Sequence, residues 1–104
     1  MGTNNVPTIK EIFKTCCDYF GIDYYMALSN SRLKEYVKVR QHTAHLAVKV
    51  YNIYYYSDVA KFLGKSQHTI CKSDKSFSFF VDKDVEDYKT NIENLKMIIN
   101  ERYG

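Results

Sequence analysis

The chain has 104 residues with 45% hydrophobic and 26% charged side chains and a formal net charge of +3. That length holds one domain around one core, and a composition with one proline and four glycines suits a helical bundle better than a turn-rich β-sandwich. Three cysteines, two of them adjacent, exclude a full disulfide framework, and no apolar run approaches the roughly 20 residues of a membrane span.

Residues 1–7 read as an extended or disordered N-terminus, followed by one domain over 8–104. Thr8 and Glu11 have the spacing of a capping box, which predicts a first helix closed by Gly21. Ile9, Ile12, Phe13, Cys16 and Phe20 recur at helical spacing along it, so Cys16 is expected as a packed thiol. Asp23 then caps a short turn through Leu28, and Ser29-Asn30-Ser31 is read as a loop. A long helix follows from about Leu33 to Val50, with Tyr36, Val37, Ala44, Ala47 and Val50 facing inward. Asn52 begins a connector carrying Tyr54, Tyr55 and Tyr56.

Residues 57–70 place a small residue, a glycine and an aliphatic at the intervals of a helix-turn-helix. Ala60 allows a close helix crossing, Gly64 permits the positive φ that ends the first helix, and Ile70 pins the second to the core. Ser57 and Ser66 stand where caps belong, giving helices from Ser57 to about Leu63 and from Gln67 to Phe80. Asp82 to Asp84 breaks the chain, and Val85, Tyr88, Ile92, Leu95 and Ile99 mark a last amphipathic helix. Charge is uneven along this order: residues 30–75 carry nine Lys or Arg against three acids, a net +6, while the flanks sum to −3. A basic middle between acidic ends suits a surface that neutralises phosphates. A pI of 8.7 is modest for a non-specific nucleic-acid coat, so shape and base contacts are expected to matter.

Over about Thr8 to Tyr103 the chain resembles the C-terminal DNA-binding domain (domain IV) of the bacterial replication initiator DnaA, one of the Trp-repressor-like helical folds. Ser31-Arg32-Leu33-Lys34-Glu35-Tyr36-Val37-Lys38-Val39-Arg40-Gln41 is similar to the family's basic loop and the Arg-Gln that opens its long helix. Ala44, Leu46 and Ala47 match its small apolar face, and Asp58-Val59-Ala60 resembles its Glu-Ile-Gly. Gly64-Lys65-Ser66-Gln67-His68-Thr69-Ile70 falls on its Gly-Arg-Asp-His-Thr-Thr-Val signature, with Ser66, Gln67 and His68 replacing Asp-His-Thr and Thr69 retained. The resemblance implies an all-α bundle of about six helices that contains a helix-turn-helix and binds double-stranded DNA. With the signature altered, the family's sequence preference does not carry over, and the target motif stays open.

What the resemblance and the chemistry imply for individual residues can be set side by side. Arg32 holds the family's minor-groove arginine position, where a narrow A/T-rich groove concentrates negative potential. Arg40 matches a position near the DNA, able to grip a phosphate or a base edge. Lys34, Lys38, Lys49 and Lys65 are assigned to phosphates, and Lys72 and Lys75 would straddle the backbone. Gln67 suits adenine, His68 a guanine or a phosphate, and Thr69 a thymine methyl, while Ser66 is a cap whose helix start can also take a phosphate.

Other readings are weaker. His42 and His45 are three apart, a spacing that chelates metals, but no second ligand pair lies nearby and core histidines are commoner. The ten tyrosines could stack on single strands, yet their clustering with Lys, Asn and Ile suggests packing between helices. No phosphate-cradling loop, carboxylate pair or nucleophile with a base points to an enzyme. No cofactor is expected, and a cytoplasmic setting follows from the cysteine usage and polar N-terminus. Roles in replication initiation, its regulation or transcription remain open, as do a replication or regulatory protein partner and a monomer or weak dimer. The alternative is a protein-interaction module on the same fold that has lost DNA binding.

Overall fold

The computed structural model describes residues 7–29, 32–83 and 85–103, and every regular element among them is helical. Asn30 and Ser31 of the expected loop, Asp84 of the expected break and the stretch 1–6 of the expected N-terminal arm lie outside the described residues. Pro7 is buried, and its carbonyl accepts from the Tyr54 hydroxyl at 3.0 Å.

Helix α1 (Ile9–Phe20) begins at the expected capping box: Thr8 Oγ1 accepts from the Glu11 amide at 3.1 Å, and Glu11 Oε1 accepts from the Thr8 amide at 2.8 Å. Gly21 ends it at φ 69°, with its amide on Asp18 and that of Ile22 on Cys17, a Schellman pair. Ile12, Phe13, Cys16 and Cys17 are buried. Asp23 caps α2 (Tyr24–Leu28) by accepting from the Met26 amide at 3.0 Å.

Helix α3 (Lys34–His45) is the first part of the expected long helix, and its last turns, Leu46–Val50, widen into π-helical geometry. The Tyr51 amide reaches the Leu46 carbonyl at 2.9 Å in that segment. The inward face also differs from a single 3.6-residue stripe. Val39, His42, Thr43, Ala44, Leu46 and Ala47 are buried, whereas Tyr36, Val37 and Val50 are only half-buried. Two polar residues enter the core because the helix supplies their acceptors: Thr43 Oγ1 donates to Val39 at 2.9 Å and His42 Nδ1 to Lys38 at 2.7 Å. Asn52, at φ 55°, turns the chain out of the helix.

Helix α4 (Tyr56–Leu63) starts one residue earlier than expected. Tyr55, not Ser57, occupies the cap, because Asp58 Oδ2 folds back to accept from the Tyr55 amide at 2.8 Å. Helix α5 (Gln67–Asp82) runs two residues past the expected Phe80, and α6 (Tyr88–Tyr103) follows a 3-10 turn at Val85–Asp87. Tyr88, Ile92, Leu95 and Ile99 face the core as expected. Val85 is exposed instead, since Asp87 at φ 61° breaks the helical path before Tyr88.

Helix α1 packs on α3, α4 packs on α5, and α6 closes over α1 and α5. The Tyr19 hydroxyl fastens α1 to α6 by donating to Asn91 and accepting from Asn94, both at 3.0 Å. In the centre, His42 sits edge-on to Phe20, Phe77 and Tyr88, which joins α1, α3, α5 and α6 in one aromatic cluster.

Candidate nucleic-acid interface

The turn between α4 and α5 follows from three residues. Ala60 is buried at the crossing, Gly64 takes φ 69° and ψ 33°, and the Lys65 amide returns to the Ala60 carbonyl at 2.9 Å. Ser66 then caps α5: its Oγ accepts from the Thr69 amide at 3.1 Å and lies 2.7 Å from the Thr69 hydroxyl. Ile70, Asp74 and Phe77 form the buried stripe of α5. Gln67, His68, Thr69, Lys72 and Lys75 are all exposed. At about 100° per residue, His68, Lys72 and Lys75 fall opposite that stripe, with Thr69 and Ser73 on one flank and Gln67 on the other.

The first turn of α5 meets α3 across a cleft of about 400 Å³. Arg32, Arg40 and Gln41 line it from the side of α3, and Lys65, Thr69 and Ser73 line it from the turn and α5. Gln41 bridges the two walls by donating to Ser73 Oγ at 3.4 Å. Cations contributed by residues more than thirty positions apart thus share one concavity with the exposed start of α5, which concentrates positive potential there.

The basic residues assigned from the sequence differ in what holds their side chains, even where they line that cleft. Arg40 turns inward: Nε donates to the Ala27 carbonyl at 2.7 Å and Nη2 to that of Ser29 at 2.6 Å, tying α3 to the end of α2. Burial holds its guanidinium below the usual arginine range. Lys38 is half-buried, with Nζ 5.1 Å over the Phe20 ring and 5.7 Å over Tyr88. Lys34 is exposed and lines a shallow surface with Lys38 near the start of α3. Lys49 is also exposed, in the π-helical segment, with Nζ 5.9 Å over the Tyr56 ring.

Sequence reasoning missed one group of residues. Asp74 counts among the acids of the basic segment, but it is 1% exposed and lies at the edge of the cleft. His45 Nδ1 donates to its Oδ1 at 3.1 Å, and the Tyr56 hydroxyl donates to its Oδ2 at 2.5 Å. Burial first, and then this bond to Asp74, push the Tyr56 hydroxyl well above its ordinary pKa. The signal was present in the sequence as a charged residue on the apolar stripe of Ile70 and Phe77. His42 and His45 do not converge on a shared site: the first donates to Lys38 within the aromatic cluster and the second to Asp74. No helix of the described residues is long and apolar enough to cross a membrane.

Neither the curated proteins nor the solved structures contain a match to this sequence. A family model does match, the bacterial DnaA protein helix-turn-helix, over residues 9–75. That span runs from the start of α1 through Lys75 of α5 and includes every element that lines the cleft. With most of its length covered, the chain belongs to the bacterial DnaA helix-turn-helix family, and its fold carries a DNA-binding domain of that type.

Proposed function

We propose that the domain binds double-stranded DNA sequence-specifically, reading two grooves at once. The observation that carries this is the shared cleft, which sets Arg32 beside Lys65 and Thr69. Arg32 enters the minor groove, where narrow A/T-rich segments attract a guanidinium. Gln67, His68 and Thr69, all exposed on the first turn of α5, meet base edges in the adjacent major groove. Ser66, Lys34, Lys49, Lys65, Lys72 and Lys75 set the register on the phosphates, with Arg40 holding the segment that presents Arg32 and Lys38 packed over Phe20 and Tyr88 instead. The domain contributes recognition and no nucleotide hydrolysis, at initiator-type sites in replication initiation, its regulation or transcription.

Selection from a random duplex library tests this reading. A defined motif is expected, with an A/T-rich step where Arg32 lies. Enrichment of no motif, with affinity that falls steeply with salt for every duplex alike, leaves only backbone binding. A second reading, a protein-interaction module, is favoured by the exposed Phe79, Phe80 and Val85 around the end of α5 and the turn that follows it. Absence of duplex binding at low salt would select it.

A further inference from the structure

Apolar contacts hold α5 against the core through Ile70 and Phe77, and the hydrophobic driving force behind them has no direction of its own. Asp74, between them on the same stripe, is different. Its two carboxylate oxygens take directional hydrogen bonds from two other elements, His45 at the end of α3 and Tyr56 at the start of α4. Ser78 Oγ lies 3.4 Å from the same His45 nitrogen, one turn further along α5. The acceptor is therefore fixed from both sides, on the helix whose first turn is exposed beside Arg32.

We propose that Asp74, held by His45 and Tyr56, is a positioning residue for base readout: it sets the rotation of α5 relative to the helix that follows Arg32. This rests on the DNA-binding reading above. Side-chain tips stand about 5–6 Å from a helix axis, so a rotation of about 10° moves them by about 1 Å. Hydrogen bonds to base edges tolerate only a few tenths of an ångström before they weaken. Contacts made by flexible lysines to phosphates absorb such a shift, so discrimination falls before overall affinity does. Buried polar groups of this kind can commonly be replaced by apolar residues of similar volume without loss of stability, which separates a positioning role from a supporting one.

The test compares the wild-type domain with Tyr56→Phe and with the triple variant Asp74→Leu, His45→Leu, Tyr56→Phe. Melting temperature, the affinity ratio between the selected duplex and a scrambled one, and residual dipolar couplings of the α5 amides against those of α1 are measured for each. The expected result is a triple variant that melts no lower than wild type, with the ratio reduced about tenfold or more and scrambled-duplex affinity within about twofold. Tyr56→Phe moves in the same direction by a smaller amount and decides alone if the triple variant does not fold. An unchanged ratio overturns the proposal, whatever happens to melting. If the wild type shows no discrimination, the DNA-binding reading has failed, and the couplings then decide: α5 couplings that move in Tyr56→Phe support the orientation role and unmoved ones overturn it.

Discussion

Arg40 Nε stands 2.7 Å from the carbonyl oxygen of Ala27, so the guanidinium of one helix closes the C-terminal end of another. Its second bond, Nη2 to Ser29 at 2.6 Å, pins the chain just before the basic segment that carries Arg32. Charge-assisted hydrogen bonds of this kind contribute about 1.5–3 kcal/mol each when they are sheltered, and half-exposed ones less. Arg40→Ala is expected to lower stability by about 2 kcal/mol. It should also weaken binding to the selected duplex at temperatures where the variant is still fully folded. Chemical denaturation and fluorescence anisotropy read the two effects separately.

Exposed residues of α5 should divide by the kind of contact they make. Gln67→Ala is expected to cost about 1–3 kcal/mol and to relax preference at one base position. Lys72→Ala should weaken every duplex similarly and lower the slope of log affinity against log salt by about one. A salt titration on matched and mismatched duplexes distinguishes them.

His42 predicts a pH dependence of stability. It is fully buried, and desolvation lowers its pKa to about 4. Below its ordinary value the unfolded chain binds a proton that the folded one refuses, so this contribution is complete above about pH 6.5, falls towards about pH 4 and does not change further. The loss reaches about 3 kcal/mol. His42 Nε2 has no hydrogen-bond partner among the described residues, so His42→Met, an apolar replacement, should remove this slope at little cost near neutral pH. Denaturant unfolding of both proteins between pH 7 and pH 4 measures the difference.

The cysteines should react in two classes. Burial raises the pKa of both Cys16 and Cys17 to about 12, which leaves little thiolate at neutral pH, whereas Cys71 is half-buried on α5. A disulfide reagent at pH 8 is expected to label one thiol per folded chain and three in denaturant. Peptide mapping should place the first label on Cys71. Duplex that covers this helix should slow its labelling.

Features governed by neighbours along the chain are legible in the sequence. The Thr8 and Glu11 capping box, the Asp23 and Ser66 caps, and the positive φ of Gly21 and Gly64 depend on a few adjacent residues, and all appear where their spacing puts them. Ser57 fails as a cap because Asp58 reaches back to the Tyr55 amide, a competition that spacing alone does not rank.

The order of helices, the helix-turn-helix and the family therefore came from the sequence by itself, since local capping and apolar periodicity encode them. Only the tertiary structure decided which cations share a surface. It brought Arg32 and Lys65 to one cleft and turned Arg40 and Lys38 inward to carbonyls and aromatic rings. It also took Asp74 off the surface and into the grip of His45 and Tyr56. The physical reason is that a long polar side chain goes wherever a distant partner satisfies it, and that partner is set by how helices pack, which no stretch of neighbouring residues records.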